Sequence, residues 1–347
     1  MSELAHNILA QPDSIACVLQ QQCGDGRSAL LEAAALLRSA RQVLITGMGA
    51  SMYASIPMEY SLCRAGIDAV MVEAGELLHY RHPAYRDSVV VVVSRSGESV
   101  EITKLLALLK GRQPIIGLSN DPGSELSRSA DVSLHIGSCP DEAVAIQTYT
   151  GTVLALHLLV SAVTKSLDAA RSDVETLRPH VPRLIYSALD HIDSWDGFLD
   201  AGSPVYLLAR GPSYASALEG ALLFNEIAKV PAIGMLAASF RHGPAEIVDE
   251  KFRGLIFAPQ GSTRGLNLAL AGDLARLGGS VRIIGGSEEV VPGVQWCDAG
   301  TVKESLVPLL EIIPVQIAAL RLAQLRGVPE GTLRYTPQVA RDEAKFG

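Results

Sequence analysis

Three serines in six residues, Ser94, Ser96 and Ser99 of the segment SRSGES, directly follow the β-branched run Val89–Val93 and precede EITKLLALLK, whose apolar positions recur at helical spacing. A strand entering a helix through such a turn gathers freed backbone N–H groups, hydroxyls and the positive end of a helix dipole. That is a cradle for phosphate which needs no lysine. Taken alone, the pattern also describes an ordinary serine turn capping a helix. A second turn, GMGAS at 47–51, follows the apolar run 42–46 and adds the hydroxyl of Ser51, with glycines that permit close backbone approach. It lacks the full GxGxxG spacing and an acidic residue at the right distance, so neither a nicotinamide nor any other cofactor is expected.

Proton chemistry has carboxylate and imidazole candidates. In ALEGALLFNEIA, Glu219 and Glu226 are seven residues apart, which α-helical periodicity places on one face amid apolar neighbours. The competing reading is a pair of solvated or ion-paired helix carboxylates. His242, in SFRHGPAE, falls in a loop after a strand, where a lone histidine is commonly inert surface. His79 and His82 have near-metal spacing but no third ligand beside them, so they read as structural and no metal is expected.

The elements that would position these residues read as a doubly wound parallel α/β sheet. Apolar runs at 42–46, 69–72, 89–93, 114–118 and 132–136 alternate with helical segments, giving about five strands. The pattern returns near residue 204. There PVYLLARGPSYASALEG repeats VLITGMGASMYASIPME, with Gly211 and Ser213 where Gly49 and Ser51 stood, and LIFAPQGST answers VVVSRSGES. The chain is expected to comprise an N-terminal helical arm (1–40), a first domain (41–168), a helical connector carrying Pro179 and Pro182 (169–200), a second domain (201–326) and a tail (327–347). A length of 347 residues suits two hydrophobic cores. In the second copy Ala258, Pro259 and Gln260 replace Ser94, Arg95 and Ser96. Serines that served turn geometry alone would have equal reason to persist in both copies, so phosphate is expected on the first copy only.

Composition narrows the partners. A formal charge of -8, with no Lys/Arg run or aromatic-basic stripe, argues against nucleic acid, so an anionic substrate must be held locally. The 48% hydrophobic content excludes a disordered chain. Five scattered cysteines without a CxxC pair indicate neither a disulfide framework nor a zinc site and fit a reducing compartment. The N-terminus shows no signal pattern, and apolar runs such as Val89–Val93 are too short to span a bilayer, so a soluble cytoplasmic protein without membrane partners is expected.

In chain order, GMGAS, SRSGES, EAVAIQTYT, ALEGALLFNEIA, SFRHGPAEIVD and TLRYTPQVARDE resemble the isomerase half of glucosamine-6-phosphate synthase, over roughly residues 41–342. This is the sugar isomerase (SIS) domain family, whose relatives without a glutaminase half include SIS-type glucosamine-6-phosphate deaminases, fructosamine 6-phosphate deglycases and tagatose-type ketose isomerases. The resemblance implies two tandem SIS domains, each a flavodoxin-like parallel sheet of about five strands flanked by helices. It also implies a sugar-phosphate enzyme acting at C1–C2 of a ketose 6-phosphate or its amino or imine derivative. By position it assigns the phosphate to Ser51, Ser94, Arg95, Ser96 and Ser99, with the backbone around Val144 and Ala145 facing the sugar. Arg95 stands where the family often has Gln. Glu226 becomes the base between C1 and C2, Glu219 holds the site together, and His242 opens the ring, reaching the site of a neighbouring subunit in a homodimer.

Departures from the family are equally informative. Leu223 and Asn225 stand where the synthase helix carries lysines, and Gln338 where the tail, expected to contribute to the site, carries a lysine able to form a Schiff base. Lys345 lies seven residues on, but the reading favours true loss. No glutaminase nucleophile or far longer N-terminal region is expected, which disfavours glutamine-dependent synthesis against isomerase, deaminase or deglycase chemistry through Glu226 and His242. The alternative of another class is a non-catalytic sugar-phosphate sensor. Retention of Glu226 and His242 argues against it, and some forty residues before the first strand are too few for a helix-turn-helix domain of about 70 residues.

Overall fold

The computed structural model describes residues 2–202, 204–337 and 339–345. The chain forms two compact units: one is Gln11–Arg178 with the segment from Leu333 onward, the other is the N-terminal segment through Ala10 with Pro179–Thr332. Each contains one wholly parallel five-stranded sheet. In the first, β1 (Val43–Gly47), β2 (Ala69–Met71), β3 (Val89–Val93), β4 (Ile115–Ser119) and β5 (Val132–His135) lie in the order β2-β1-β3-β4-β5. In the second, β6 (Val205–Ala209), β7 (Ala232–Leu236), β8 (Arg253–Phe257), β9 (Ser280–Gly285) and β10 (Val294–Asp298) lie in the order β7-β6-β8-β9-β10. Strand for strand the two orders are the same, and they are the flavodoxin-like order of the expected tandem fold. All five residues of β1, β3, β4 and β8 are buried. Helices cover both faces of a parallel sheet, which is why these strands read as unbroken apolar runs.

In the first unit Val43–Gly47 pairs in register with Val89–Val93, so the turns after β1 and β3 leave the sheet side by side. A Cβ on Gly47 would stand 2.7 Å from the Val93 carbonyl oxygen, so only glycine fits there. The helices Gln11–Cys23 and Arg27–Ser39 pack on the helix Gln147–Val163, in which every residue but His157 is buried.

In the second unit the helix Tyr214–Leu223 lies against β6, β7 and the helix Pro308–Leu325. Two glycines set its depth: a Cβ on Gly220 would meet Leu207 at 2.5 Å, and one on Gly234 would meet the Ala217 carbonyl oxygen at 2.6 Å and the Leu218 Cα at 2.8 Å. Arg253 and Arg282, both buried, donate to the Phe198 and Ser194 carbonyls at 3.1 and 2.6 Å and tie the connector to the foot of the sheet. Segment 304–325 is long and apolar enough to cross a membrane, which a search for short unbroken apolar runs does not detect. It is a core helix instead: 94% of its most apolar stretch is buried, and a helix buried on all sides is apolar on all sides.

Gly234→Ala, whose Cβ would press on backbone rather than on a mobile side chain, is expected to cost about 1–3 kcal/mol of stability. The readout is a lower denaturant midpoint at unchanged slope. A midpoint equal to wild type would contradict this packing.

Candidate active site

Where the strand order reverses, the continuations of β1 and β3 run to opposite faces and leave a crevice at their carboxyl ends. Both serine turns lie there. Gly49 takes φ +50° and faces open space, and Ser51 follows on the short helix Gly49–Tyr53 with its Oγ accepting the Arg95 N–H at 3.3 Å. Ser94 is buried and its Oγ accepts the Gly97 N–H at 3.1 Å, while Ser96 Oγ accepts the Glu98 N–H at 3.3 Å. Gly97, at φ +65°, could carry no side chain, because a Cβ would stand 2.3 Å from Ser124 Oγ. Ser99 is the N-cap of the helix Val100–Leu109, yet its hydroxyl makes no capping bond. The serines thus shape the turn by accepting its backbone N–H groups at the start of the helix Val100–Leu109.

The neighbouring loop is built on Asp141, whose carboxylate accepts the N–H groups of Ile146, Gln147 and Thr148 at 2.8–3.1 Å and so caps the helix Gln147–Val163. Arg95 Nη1 donates to the Ala143 carbonyl at 3.1 Å, bracing the loop that carries buried Val144 and half-buried Ala145. Ser51, Arg95 and Ala143 are therefore linked by hydrogen bonds, which brings Ser51, the 94–99 turn and the 144–145 backbone together within the first unit. The tail meets the same turn. The Ala340 carbonyl accepts the Val100 N–H at 2.9 Å, and Glu343 pairs with Lys104 at 2.6 Å and His79 at 3.3 Å, contacts that hold its carboxyl below the usual range. Gln338 lies outside the described residues. No cluster of three or more His, Cys, Asp or Glu side chains suited to a metal exists among the described residues.

Glu219, Glu226 and His242 belong to the second unit. Glu219 is 1% exposed in the helix Tyr214–Leu223. The chain then continues as a π turn, Phe224–Ala228, closed by Lys229 at φ +56°. A π turn takes more residues per revolution than an α turn, so the two carboxylates that strict α periodicity stacks on one face are turned apart, and Glu226 is half-buried. Lys229 donates to the Glu226 and Thr332 carbonyls, the latter at 2.7 Å, and pins the turn. His242 is exposed, after the helix Ala237–Phe240 and before Gly243 at φ +123°.

Two functional-looking residues were not visible as such in the sequence. At the crevice between β6 and β8, the Glu304 carboxyl occupies the space between the two turns: a Cβ on Gly261 would stand 2.7 Å from its Oε1 and one on Gly211 3.8 Å. Glu304 comes ten residues after the start of β10, as Glu142 does after the start of β5, so it lies in the loop equivalent to the one bearing Val144 and Ala145. Beside it Glu311, fully buried, accepts Ser213 Oγ at 3.0 Å and Ser216 Oγ at 2.7 Å. Ser213 is the counterpart of Ser51. The second crevice is filled by the chain's own carboxyl groups, and the only sequence signal was the two glutamates flanking a helix start.

Residues 36–162 and 198–326 match the family model of the SIS domain, and the chain belongs to that family. It is 31% identical over 308 residues to a glutamine–fructose-6-phosphate aminotransferase (isomerizing) of Pyrococcus horikoshii, covering 85% of this chain and 50% of that protein. The chain spans about half the length of the curated relatives it matches. Among solved structures it shares its fold with the C-terminal domain of glucosamine-fructose-6-phosphate aminotransferase from Francisella tularensis (TM-score 0.81, 21% identity, 95% and 97% of the two chains). It shares it also with a glucosamine-6-phosphate deaminase from Thermotoga maritima (TM-score 0.77, 19% identity, 98% and 99%).

Glu311 makes the second crevice sensitive to pH. Burial pushes its carboxyl up to about 8 in spite of the two serine donors, against 4.5 for an unburied glutamate. Because the folded value is the higher one, its contribution to stability is fully present below about pH 4.5 and is lost as pH rises through about 8. Wild type is therefore expected to lose on the order of a few kcal/mol more than Glu311→Gln between pH 5 and pH 8. Denaturant titrations at both pH values measure the difference, and parallel losses would contradict the assignment.

Proposed function

We propose that this SIS-family protein is a phosphosugar enzyme acting at C1–C2 of a ketose 6-phosphate or its amino or imine derivative, as an isomerase, deaminase or deglycase. One observation carries the reading. Of two equivalent crevices, the first is ringed by Ser51, Ser94, Ser96 and Ser99 with Gly49 facing open space, whereas the second holds the carboxyl of Glu304. Hydroxyls at a helix N-terminus suit a phosphate dianion, and a carboxyl in the same place excludes one. The names of the relatives, an aminotransferase of fructose 6-phosphate and a deaminase of glucosamine 6-phosphate, support a hexose 6-phosphate as ligand.

In the proposed reaction the sugar phosphate rests on Ser51, Ser94, Arg95, Ser96 and Ser99 with its carbon chain along Val144 and Ala145. Glu226 transfers the proton between C1 and C2, Glu219 stabilises the helix that carries it, and His242 moves the ring-oxygen proton as the ring opens. The half-buried setting of Glu226 between buried Phe224 and Ile227 supports its role, since the turn is anchored while the carboxyl stays accessible. The exposure of His242 supports its delivery to the site of a second copy, so the active form in this reading is a homodimer. Leu223 and Asn225 cannot form an imine, which favours acid/base transfer over a covalent lysine adduct.

Glu226→Gln is expected to lower kcat by about 10²–10⁴ with KM little changed. Turnover is read as release of isomer, ammonia or amine from fructose 6-phosphate, glucosamine 6-phosphate and fructosamine 6-phosphate. Wild-type turnover by the variant would contradict the role of Glu226. A protein that binds these sugars and turns over none would be a sensor.

A further inference from the structure

Away from the cradle, the first unit brings two cysteines, Cys17 and Cys139, to one packing contact between a helix and the exit of β5. The helix Gln11–Cys23 is fixed against the segment that leaves β5. Gln22 Nε2 donates to the Ile136 carbonyl at 3.2 Å, Ser14 Oγ and Ser138 Oγ lie 3.0 Å apart, and the Cys139 N–H donates to Ser14 Oγ at 3.1 Å. Gly137, at φ +79°, allows the approach, since a Cβ there would stand 2.5 Å from the Gln21 Cβ. In this frame Cys17 stands beside Cys139: Ser14, one helical turn before Cys17, accepts the Cys139 N–H, the Cys17 carbonyl oxygen lies 3.7 Å from where a Gly137 Cβ would stand, and burial and then Cys17 raise the Cys139 thiol. Cys17 is exposed and Cys139 half-buried. Of the other three thiols, Cys63 lies against the Ala69 carbonyl at 3.6 Å, Cys23 is half-buried near Arg171 and Arg27, and burial pushes Cys297 up to about 12.

We propose that Cys17 and Cys139 form a redox modification site, which a peroxide converts to an intramolecular disulfide fastening the base of the 139–146 loop to the helix Gln11–Cys23. The exposed Cys17 sulfur, as thiolate, attacks one peroxide oxygen. The O–O bond breaks, hydroxide leaves and takes up a proton to become water, and a sulfenic acid remains on Cys17. The Cys139 sulfur then attacks the Cys17 sulfur, the S–S bond forms, and the sulfenic oxygen leaves as a second water carrying the Cys139 proton. Two thiols lose two electrons in all, and one peroxide becomes two waters. Burial and the adjacent Cys17 sulfur raise the Cys139 thiol, which fits the resolving rather than the attacking role. The docking of the helix Gln11–Cys23 on the exit of β5 sets the separation of the two sulfurs, which oxidation must close to the covalent distance of about 2 Å.

Cys139 opens the loop whose far side Arg95 braces at Ala143, so the disulfide shifts the base of that loop. Its effect on sugar binding rests on the proposed function, whereas the disulfide itself does not. Equimolar hydrogen peroxide on the full chain is expected to lower the titratable thiols from five to three, to yield one peptide pair linked through Cys17 and Cys139, and to be reversed by dithiothreitol. Cys17→Ser should yield no linked pair. Linkage through Cys63 between chains, with Cys17 and Cys139 still open to alkylation, would overturn the proposal. In the second arm, KM for the sugar phosphate that the protein turns over should rise at least twofold in the oxidised wild type and stay constant in peroxide-treated Cys17→Ser. A linked pair with unchanged KM would refute the coupling to the site while leaving the disulfide standing.

Discussion

Adjacent parallel strands whose chains depart to opposite faces cannot be roofed by their own helices, so a crevice opens at their carboxyl ends and its contents must come from elsewhere. This chain meets that constraint twice, at β1/β3 and at β6/β8. The register that places Gly47 beside Val93 sets the two turns of the first crevice next to each other, and glycines at positive φ allow both turns to bend back. The serines, the Asp141 cap and the Arg95 brace are all arranged around that opening.

The duplicated scaffold has diverged in what fills the opening rather than in the sheet. The first copy keeps its serine hydroxyls at a helix start. In the second, Ala258, Pro259 and Gln260 remove the hydroxyls, and the loop after β10 supplies Glu304 while the following helix supplies Glu311. A carboxyl held on the same chain needs no translational entropy to arrive, so a filled crevice is a stable scaffold, while an open one retains the capacity to bind. The helix Tyr214–Leu223 gains a fixed start from Ser213 and Ser216, and that fixed start precedes the π turn bearing Glu226.

Much of the fold was legible in the sequence because doubly covered parallel strands are unbroken apolar runs: 89–93 could be little else, and the return of GMGAS as ARGPS disclosed the duplication. The position of the first-copy serine turn was legible for the same reason, since a turn after a buried strand has its place dictated by the sheet. What escaped depends on tertiary packing. Glu304 and Glu311 look like the acidic start of an ordinary helix until the fold carries them to Gly261 and Ser216. The π turn follows from packing and not from a breaker residue, and so the angle between Glu219 and Glu226 was not deducible from their spacing. Cys17 and Cys139 are far apart in sequence without a motif, and only the docking of the helix Gln11–Cys23 on the exit of β5 makes them neighbours. The tail contact of Ala340 with Val100 involves backbone alone and leaves no trace in side-chain types.

The central claim, one open and one self-filled crevice, is tested most directly by a crystal structure with fructose 6-phosphate bound. The account predicts a phosphate within hydrogen-bonding distance of the turn from Ser94 to Ser99 and the Glu304 carboxyl still seated between Gly211 and Gly261. A phosphate over Gly261 to Thr263, with Glu304 displaced and the first turn empty, would contradict it.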